Sequence, residues 1–214
     1  MFEHQGIWLP DGEKHFPEWM TKNGEMVDGR GTYQIRKLRE ALTRVTKFRT
    51  AVDVGGHVGL WSMHLAKRFQ EVQAFEPMAP FRACFERNVV HENVVLHRYP
   101  LGDRDANVAM VYDPADSGGT HVGGAGDMKM RTLDSFEFDD VDFIKIDCEG
   151  YEEHVVAGAI DTIARCQPVI IVEQKPHKLA ANFGIKGAPA VDLLKRIGMT
   201  VCREMSGDFI LEFR

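Results

Sequence analysis

Apolar positions along this chain change their period repeatedly. Between Thr32 and Phe48, the residues Ile35, Leu38, Leu42 and Val45 recur at three- and four-residue steps, the spacing of one buried helix face. TAVDV (50–54) is largely apolar and predicts a buried strand, and LWSMHLAKRF (60–69) returns to a helical pattern. EVQAF (71–75) and NVVLHRY (93–99) predict two more strands, with a helix in PFRACFERNVV between them. VDFIKID (141–147) and PVIIVEQK (168–175) predict further buried strands, separated by a helix over YEEHVVAGAIDTIARC. APAVDLLKRIG (188–198) predicts the last helix. MTVCREM and DFILEF, joined by Ser206-Gly207, predict a terminal hairpin.

Strands alternating with helices predict an α/β protein with a mostly parallel sheet covered on both faces, made mixed by the antiparallel hairpin. In such sheets ligands bind beyond the carboxyl ends of the strands, where the strand order reverses. The first strand borders that point, so its end at Asp53 is where a site is expected. Two stretches lack any period. Residues 1–30 are expected to form an irregular arm with a turn at Pro10-Asp11-Gly12. The glycine-dense DSGGTHVGGAGD (116–127) is expected to be either a disordered surface loop or a movable loop over a substrate, with His121 as a candidate contact to it.

Length and charge narrow the picture. A chain of 214 residues is expected to form one domain over 1–214. Lysine plus arginine (26) against aspartate plus glutamate (32) leaves −6, which argues against a chain-wide grip on nucleic acid or an anionic membrane. The four cysteines, Cys84, Cys148, Cys166 and Cys202, contain no CxxC pair, so neither a zinc knuckle nor a disulfide framework is expected. No apolar stretch approaches the ~20 residues of a membrane span. A cytoplasmic protein is the expectation.

The candidate chemistry starts at AVDVGGHVGLWS (51–62). A phosphate loop needs GxxxxGK[ST], and a dinucleotide fingerprint needs GxGxxG; neither is present. What stands here is D-x-G-x-x-x-G, from Asp53 through Gly55 to Gly59, either a ligand cradle or a tight strand-to-helix turn. The next strand ends in Glu76, placed to take both hydroxyls of a ribose. Two acids on adjacent strand ends around one glycine turn match a binding site for S-adenosylmethionine (SAM).

The order DVGGHVGLWS, AFEPMAPFRACFERNV, MRTLDSF, VDFIKIDCEGYE and PVIIVEQK resembles the FkbM-type family of SAM-dependent methyltransferases, over roughly Ala51 to Lys175. KIDCEGYE, similar to the family's KID-x-EG-x-E, is its most specific part. The resemblance implies a Rossmann-like class I methyltransferase fold, with a mostly parallel seven-stranded sheet. It implies that Asp53, Gly55 and Gly59 shape the turn holding the methionine portion of SAM, with Gly56-His57 where the family usually has Ala-Asn. Glu76 would bind the ribose, Asp103 the adenine side, and Asp147 the methionine moiety, with Glu149, Gly150 and Glu152 opening the next helix.

Each acid has a second reading. Glu149 and Glu152 can simply complement a helix dipole. Glu173 can form an ion pair with Lys145 or Lys175, or contact the acceptor. Asp147 and Glu149 offer two oxygens, too few for a divalent ion, so no metal is expected. The resemblance favours O-methylation of a small hydroxylated acceptor such as a sugar or another metabolite. Alternatives are N-methylation of a small molecule, protein or nucleic acid, although a DPPY-type signature is absent, and a SAM-binding module without turnover.

Overall fold

A computed structural model describes residues 1–214, apart from the side chains of Lys178 and Ala180. Its centre is built by the buried runs read above: β5 (Thr50–Val54), β6 (Glu71–Phe75), β11 (Val141–Ile146) and β12 (Val169–Glu173), joined by β7 (Val94–His97), β13 (Met199–Met205) and β14 (Asp208–Phe213). The seven strands run in the order β13-β14-β12-β11-β5-β6-β7. The five from β12 to β7 are parallel, while β14 pairs antiparallel with β12 and β13 with β14. Side chains alternate across this sheet. Val52, Val54, Ile144, Ile146, Ile170 and Val172 meet one helical layer, and Ala51, Val72, Phe143 and Ile171 meet the other.

The helices cover both faces. Leu38 and Ala41 of α2 (Ile35–Leu42) and Leu65 of α3 (Ser62–Leu65) pack on the second face. Val155 of α5 (Glu152–Ala157), Ile163 of α6 (Ile160–Cys166) and Leu194 of α8 (Pro189–Arg196) pack on the first. Phe81 and Phe85 of α4 (Ala79–Asn88) belong to a third apolar cluster. The chain builds β5, β6 and β7 outward on one side, then returns to lay β11 and β12 on the other. The strand order therefore reverses between β5 and β11, which opens a crevice beyond Asp53 and Asp147.

Several expectations need correction. The 1–30 stretch is not irregular: it holds β1 (Phe2–His4) and β2 (Ile7–Leu9), α1 (His15–Asn23), and β3 (Met26–Val27) paired with β4 (Arg30–Gly31). Its strands are too short to display a period, but their turns are readable. Gln5-Gly6 and Asp28-Gly29 both take positive φ, the geometry of a two-residue hairpin turn, as Ser206-Gly207 does at the other end. Ile7, Leu9, Phe16 and Met20 share the apolar cluster of Val58, Leu60, Phe81 and Phe85, which ties this segment to the body of the fold.

The glycine-dense stretch is likewise not a loop. It forms β9 (Asp116–Ala125), which pairs with β8 (Ala106–Asp113); β10 (Met128–Met130) completes a small sheet of order β10-β8-β9. Its glycines serve close packing: a Cβ on Gly118 would come within 3.0 Å of the Phe16 ring. The helix predicted over 151–166 is two helices, because Gly158 and Ala159 leave the helical conformation; Gly158 also packs where a Cβ would stand 1.9 Å from the Gly102 carbonyl oxygen. The 60–69 helix contracts to α3. PHKLAANF, unassigned by its pattern, forms α7 (Pro176–Phe183).

Candidate active site

The turn after β5 explains its glycines by contact. Gly55 has φ +77, and a Cβ there would lie 2.1 Å from the Asp147 carbonyl oxygen. Gly59 has φ +88, and its Cβ would lie 2.4 Å from Val89 Cγ2. Side chains at both positions are excluded by backbone conformation and by space. Gly56 differs, since an added Cβ meets nothing closer than Phe85 Cε2 at 3.4 Å, so the alanine usual in the family fits there. The N–H groups of Gly55 and Gly56 both donate to the Phe75 carbonyl, at 3.1 and 2.9 Å. His57 follows in the left-handed region at φ 48.

Two acids flank this turn in different ways. Asp53 is buried; its Oδ2 accepts the Ser62 hydroxyl at 2.7 Å and its Oδ1 lies 3.2 Å from Lys145 Nζ. The cation facing Asp53 comes from the protein itself, because Lys145 stands beside Asp53 in the β5–β11 register. Lys145 Nζ also donates to the carbonyls of Gly55 at 2.6 Å and Val54 at 3.1 Å, which pins the turn from below. Burial lowers the pKa of that ammonium, but Asp53 and Asp147 outweigh it and hold it above its ordinary value. Glu76, also buried, accepts the His57 N–H at 2.9 Å on Oε2 and the Met78 N–H at 2.7 Å on Oε1. Burial pushes its pKa up to about 7, against the opposing pull of those two N–H groups and of Lys145.

The second turn, Asp147-Cys148-Glu149-Gly150, follows β11. Glu149 is buried with φ 54, and Gly150 takes φ 107, where a Cβ would meet the Phe183 ring at 2.7 Å. Glu152 holds the turn together: its Oε1 accepts the Cys148 and Gly150 N–H groups, each at 2.9 Å, and its Oε2 accepts Gln174 Nε2 at 3.0 Å. Glu152 thus meets the preceding turn and Gln174 through both of its oxygens. Asp147, Glu149 and Glu173 then converge, with one oxygen from each lying within 4.8 Å of the others. The two-oxygen count made from the sequence becomes three, and this trio could hold a cation. Lys175, rather than Lys145, forms the ion pair with Glu173, so the cluster already carries one positive charge.

Asp53, Gly55, Gly56, His57, Glu76, Asp147 and Glu149 all line one cleft. Gly59 shapes its floor without lining it. Two predicted residues stand elsewhere. Asp103 turns to Arg104 Nη1 at 3.0 Å and His154 Nδ1 at 3.4 Å, and Tyr99, Pro100 and Leu101 wall the cleft in its place. His121 does not line the cleft: Ser117, Gly118, Thr120 and Val122 of β9 do, while the His121 ring meets the Gly119 carbonyl and the Phe183 ring.

A second groove lies beside the cleft. Phe16, Tyr33, Gly118 and Glu149 border both spaces. Trp19, whose ring centre is 4.5 Å from that of Tyr33, and Lys175 and His177 add to the groove wall. Phe16, Trp19, Tyr33 and Lys145 were not singled out from the sequence as site residues. Only the aromatic density of HFPEW hinted at the first two.

The family model described as the methyltransferase FkbM domain matches residues 53–184. No curated protein matches the chain. Among solved structures, methyltransferase FkbM from Methylobacillus flagellatus KT is similar with a TM-score of 0.50 and 19% identity, over 78% of this chain and 44% of that one. This chain thus spans less than half the length of that protein. Precorrin-6y C5,15-methyltransferase from Geobacter metallireducens GS-15 is similar with a TM-score of 0.50 and 14% identity, over 97% of this chain and 98% of that one. At such identities the likeness concerns the fold. No helix among the described residues is long and apolar enough to cross a membrane.

Proposed function

Since this chain belongs to the FkbM methyltransferase family, and is thereby a SAM-dependent methyltransferase, we propose that it methylates a hydroxyl group on a small hydroxylated acceptor, such as a sugar or another metabolite, taken up in the groove beside Glu149. One observation carries this reading: Glu149 is a buried carboxylate bordering both the cleft and the groove.

The cleft residues fit SAM. Glu76 has one backbone N–H on each oxygen and keeps further lone pairs for the two ribose hydroxyls. Gly55 and Gly56 bring the backbone of the turn to the wall of the cleft, where the methionine portion would lie, and Asp147 adds a carboxylate beside them. When bound, SAM supplies a methyl group made electrophilic by its sulfonium.

The remaining work belongs to the protein: aligning the acceptor and receiving its proton. Glu149 is the group proposed to take that proton. Asp147 and Glu173 beside it favour holding a positive charge in the cluster, and Lys175 neutralises part of theirs. Phe16 and Tyr33 form the apolar rim that keeps water from the junction of the two spaces. A library of hydroxyl and amine acceptors, incubated with SAM labelled on its methyl group, tests the proposal. Labelled ethers from hydroxyl acceptors are expected. Label carried only by amines, or SAM binding without any product, would overturn it.

A further inference from the structure

Three segments remote in sequence meet at the His57 ring. Ser117 Oγ donates to Glu13 Oε2, which also accepts the Ser117 backbone N–H at 2.8 Å. His57 Nε2 stands 2.9 Å from the same Ser117 Oγ. The other oxygen of Glu13 accepts the Phe16 N–H at 2.9 Å, and the Phe16 ring stacks on His57 with centres 4.8 Å apart and planes 20° from parallel. Glu13 and Ser117 are both buried.

Counting donors and acceptors assigns the protons. Each oxygen of Glu13 receives a backbone N–H, so this carboxylate acts as an acceptor. The Ser117 hydroxyl has a single proton, directed at Glu13, and its oxygen must therefore accept from His57. That requires the proton on Nε2. Burial, reinforced by Lys145, pushes the His57 pKa down to about 3, so the ring is neutral and Nδ1 carries no proton. Nδ1 is buried and makes no hydrogen bond with any described residue. The backbone of His57, meanwhile, is held in the left-handed region, which a non-glycine residue adopts only where its surroundings hold it there. In that conformation its N–H donates to Glu76 Oε2.

We propose that Glu13 and Ser117 are positioning residues for the cofactor site: they lock His57 as its Nε2–H tautomer and hold it where its backbone N–H braces Glu76 for the ribose. The proposal rests on the methyltransferase reading above. It gives the N-terminal segment, which lies outside the family match at 53–184, a direct part in cofactor binding. It also gives a purpose to the histidine that stands where the family usually has asparagine.

The test combines nitrogen-15 NMR of histidine-labelled protein with calorimetric titration of S-adenosylhomocysteine (SAH). In the unaltered, ligand-free protein His57 is expected to show a protonated Nε2 and an unprotonated Nδ1. Ser117→Ala removes the hydroxyl but keeps the backbone N–H to Glu13. It is expected to mix the two tautomers and weaken SAH binding roughly three- to tenfold. Glu13→Gln, which replaces one accepting oxygen with a donor, should do the same. Ser117→Thr should restore both readouts, and Ile163→Val, a core change on α6, should lower Tm without altering SAH affinity. An Nδ1–H tautomer in the unaltered protein, or Ser117→Ala and Glu13→Gln variants that bind SAH at full strength, would overturn the proposal. Failure of the unaltered protein to bind SAH would instead overturn the cofactor reading, and an intact Nε2–H signal would tell the two failures apart.

Discussion

The turns after β5 and β11 lie side by side, each following an acid at the end of a parallel strand, yet they work in opposite ways. At Gly55–Gly59 the site is made by leaving side chains out: the space a Cβ would need at Gly55 is already filled by the Asp147 carbonyl. At Asp147–Gly150 the site is made by side chains, with Glu152 clamping the backbone so that Asp147 and Glu149 reach the cleft. The acids differ as well. Asp53 lines only the cleft and binds Ser62 and Lys145, whereas Glu149 borders the cleft and the groove. Under the proposed function, the glycine motif serves the ligand as a surface and the acid motif supplies the chemistry.

The sharpest way to break this contrast is Gly55→Val. A β-branched side chain at φ +77 and against the Asp147 backbone is expected to cost roughly 2–6 kcal/mol and to abolish SAH binding. Gly56→Ala, one residue along, should leave both nearly unchanged. Thermal unfolding and SAH titration of the two variants check this, and similar behaviour of the pair would remove the argument from close packing.

The chemical side of the contrast rests on Glu149. Glu149→Gln keeps the shape but cannot take a proton, so kcat should fall by about 10²–10⁴-fold while SAH affinity holds. A variant with undiminished kcat would mean that another group receives the acceptor proton.

Glu76 belongs to the first turn through His57 and should act on binding alone. Glu76→Ala is expected to weaken SAH binding by about 1.5–3 kcal/mol. Its pKa of about 7 in the free protein makes binding pH-dependent. Below that value the free protein carries a proton that must leave before the carboxylate can accept both ribose hydroxyls. Affinity should therefore fall by up to about tenfold per pH unit below 7 and level off above it. Glu152 also titrates at about 7 because of burial, so Glu76→Gln is the variant that assigns the effect. A slope that survives Glu76→Gln would belong to Glu152 or another group.

The smallest expected effect concerns metal. Lys175 already supplies a cation to the Asp147–Glu149–Glu173 trio, so methyl transfer should proceed unchanged in EDTA. Activity lost in EDTA and restored by magnesium would convert the trio into a metal site.

Much of this is legible in the amino-acid sequence by itself. The alternation of apolar runs predicts the parallel sheet, because strands buried on both faces must be continuously apolar. The spacing of Gly55 and Gly59, the acid at Glu76 and the stretch KIDCEGYE locate the cleft, since each belongs to the end of one strand and the turn that follows it. Periodicity reports burial along a single element, and these features are local to one.

What depends on two elements meeting was decided only by the tertiary structure. Which cation reaches Asp53 follows from the register that sets Lys145 beside it. Which residues of β9 meet the cleft follows from how the strand packs, and that excludes His121 while admitting Thr120. Asp103 is drawn away by His154, which arrives on a helix much further along the chain. Phe16, on α1, and Tyr33, just after β4, become walls of the site through the packing of an N-terminal segment whose strands are too brief to leave any period in the sequence. Side-chain direction and register are properties of pairs of segments, and a pattern along one segment does not contain them.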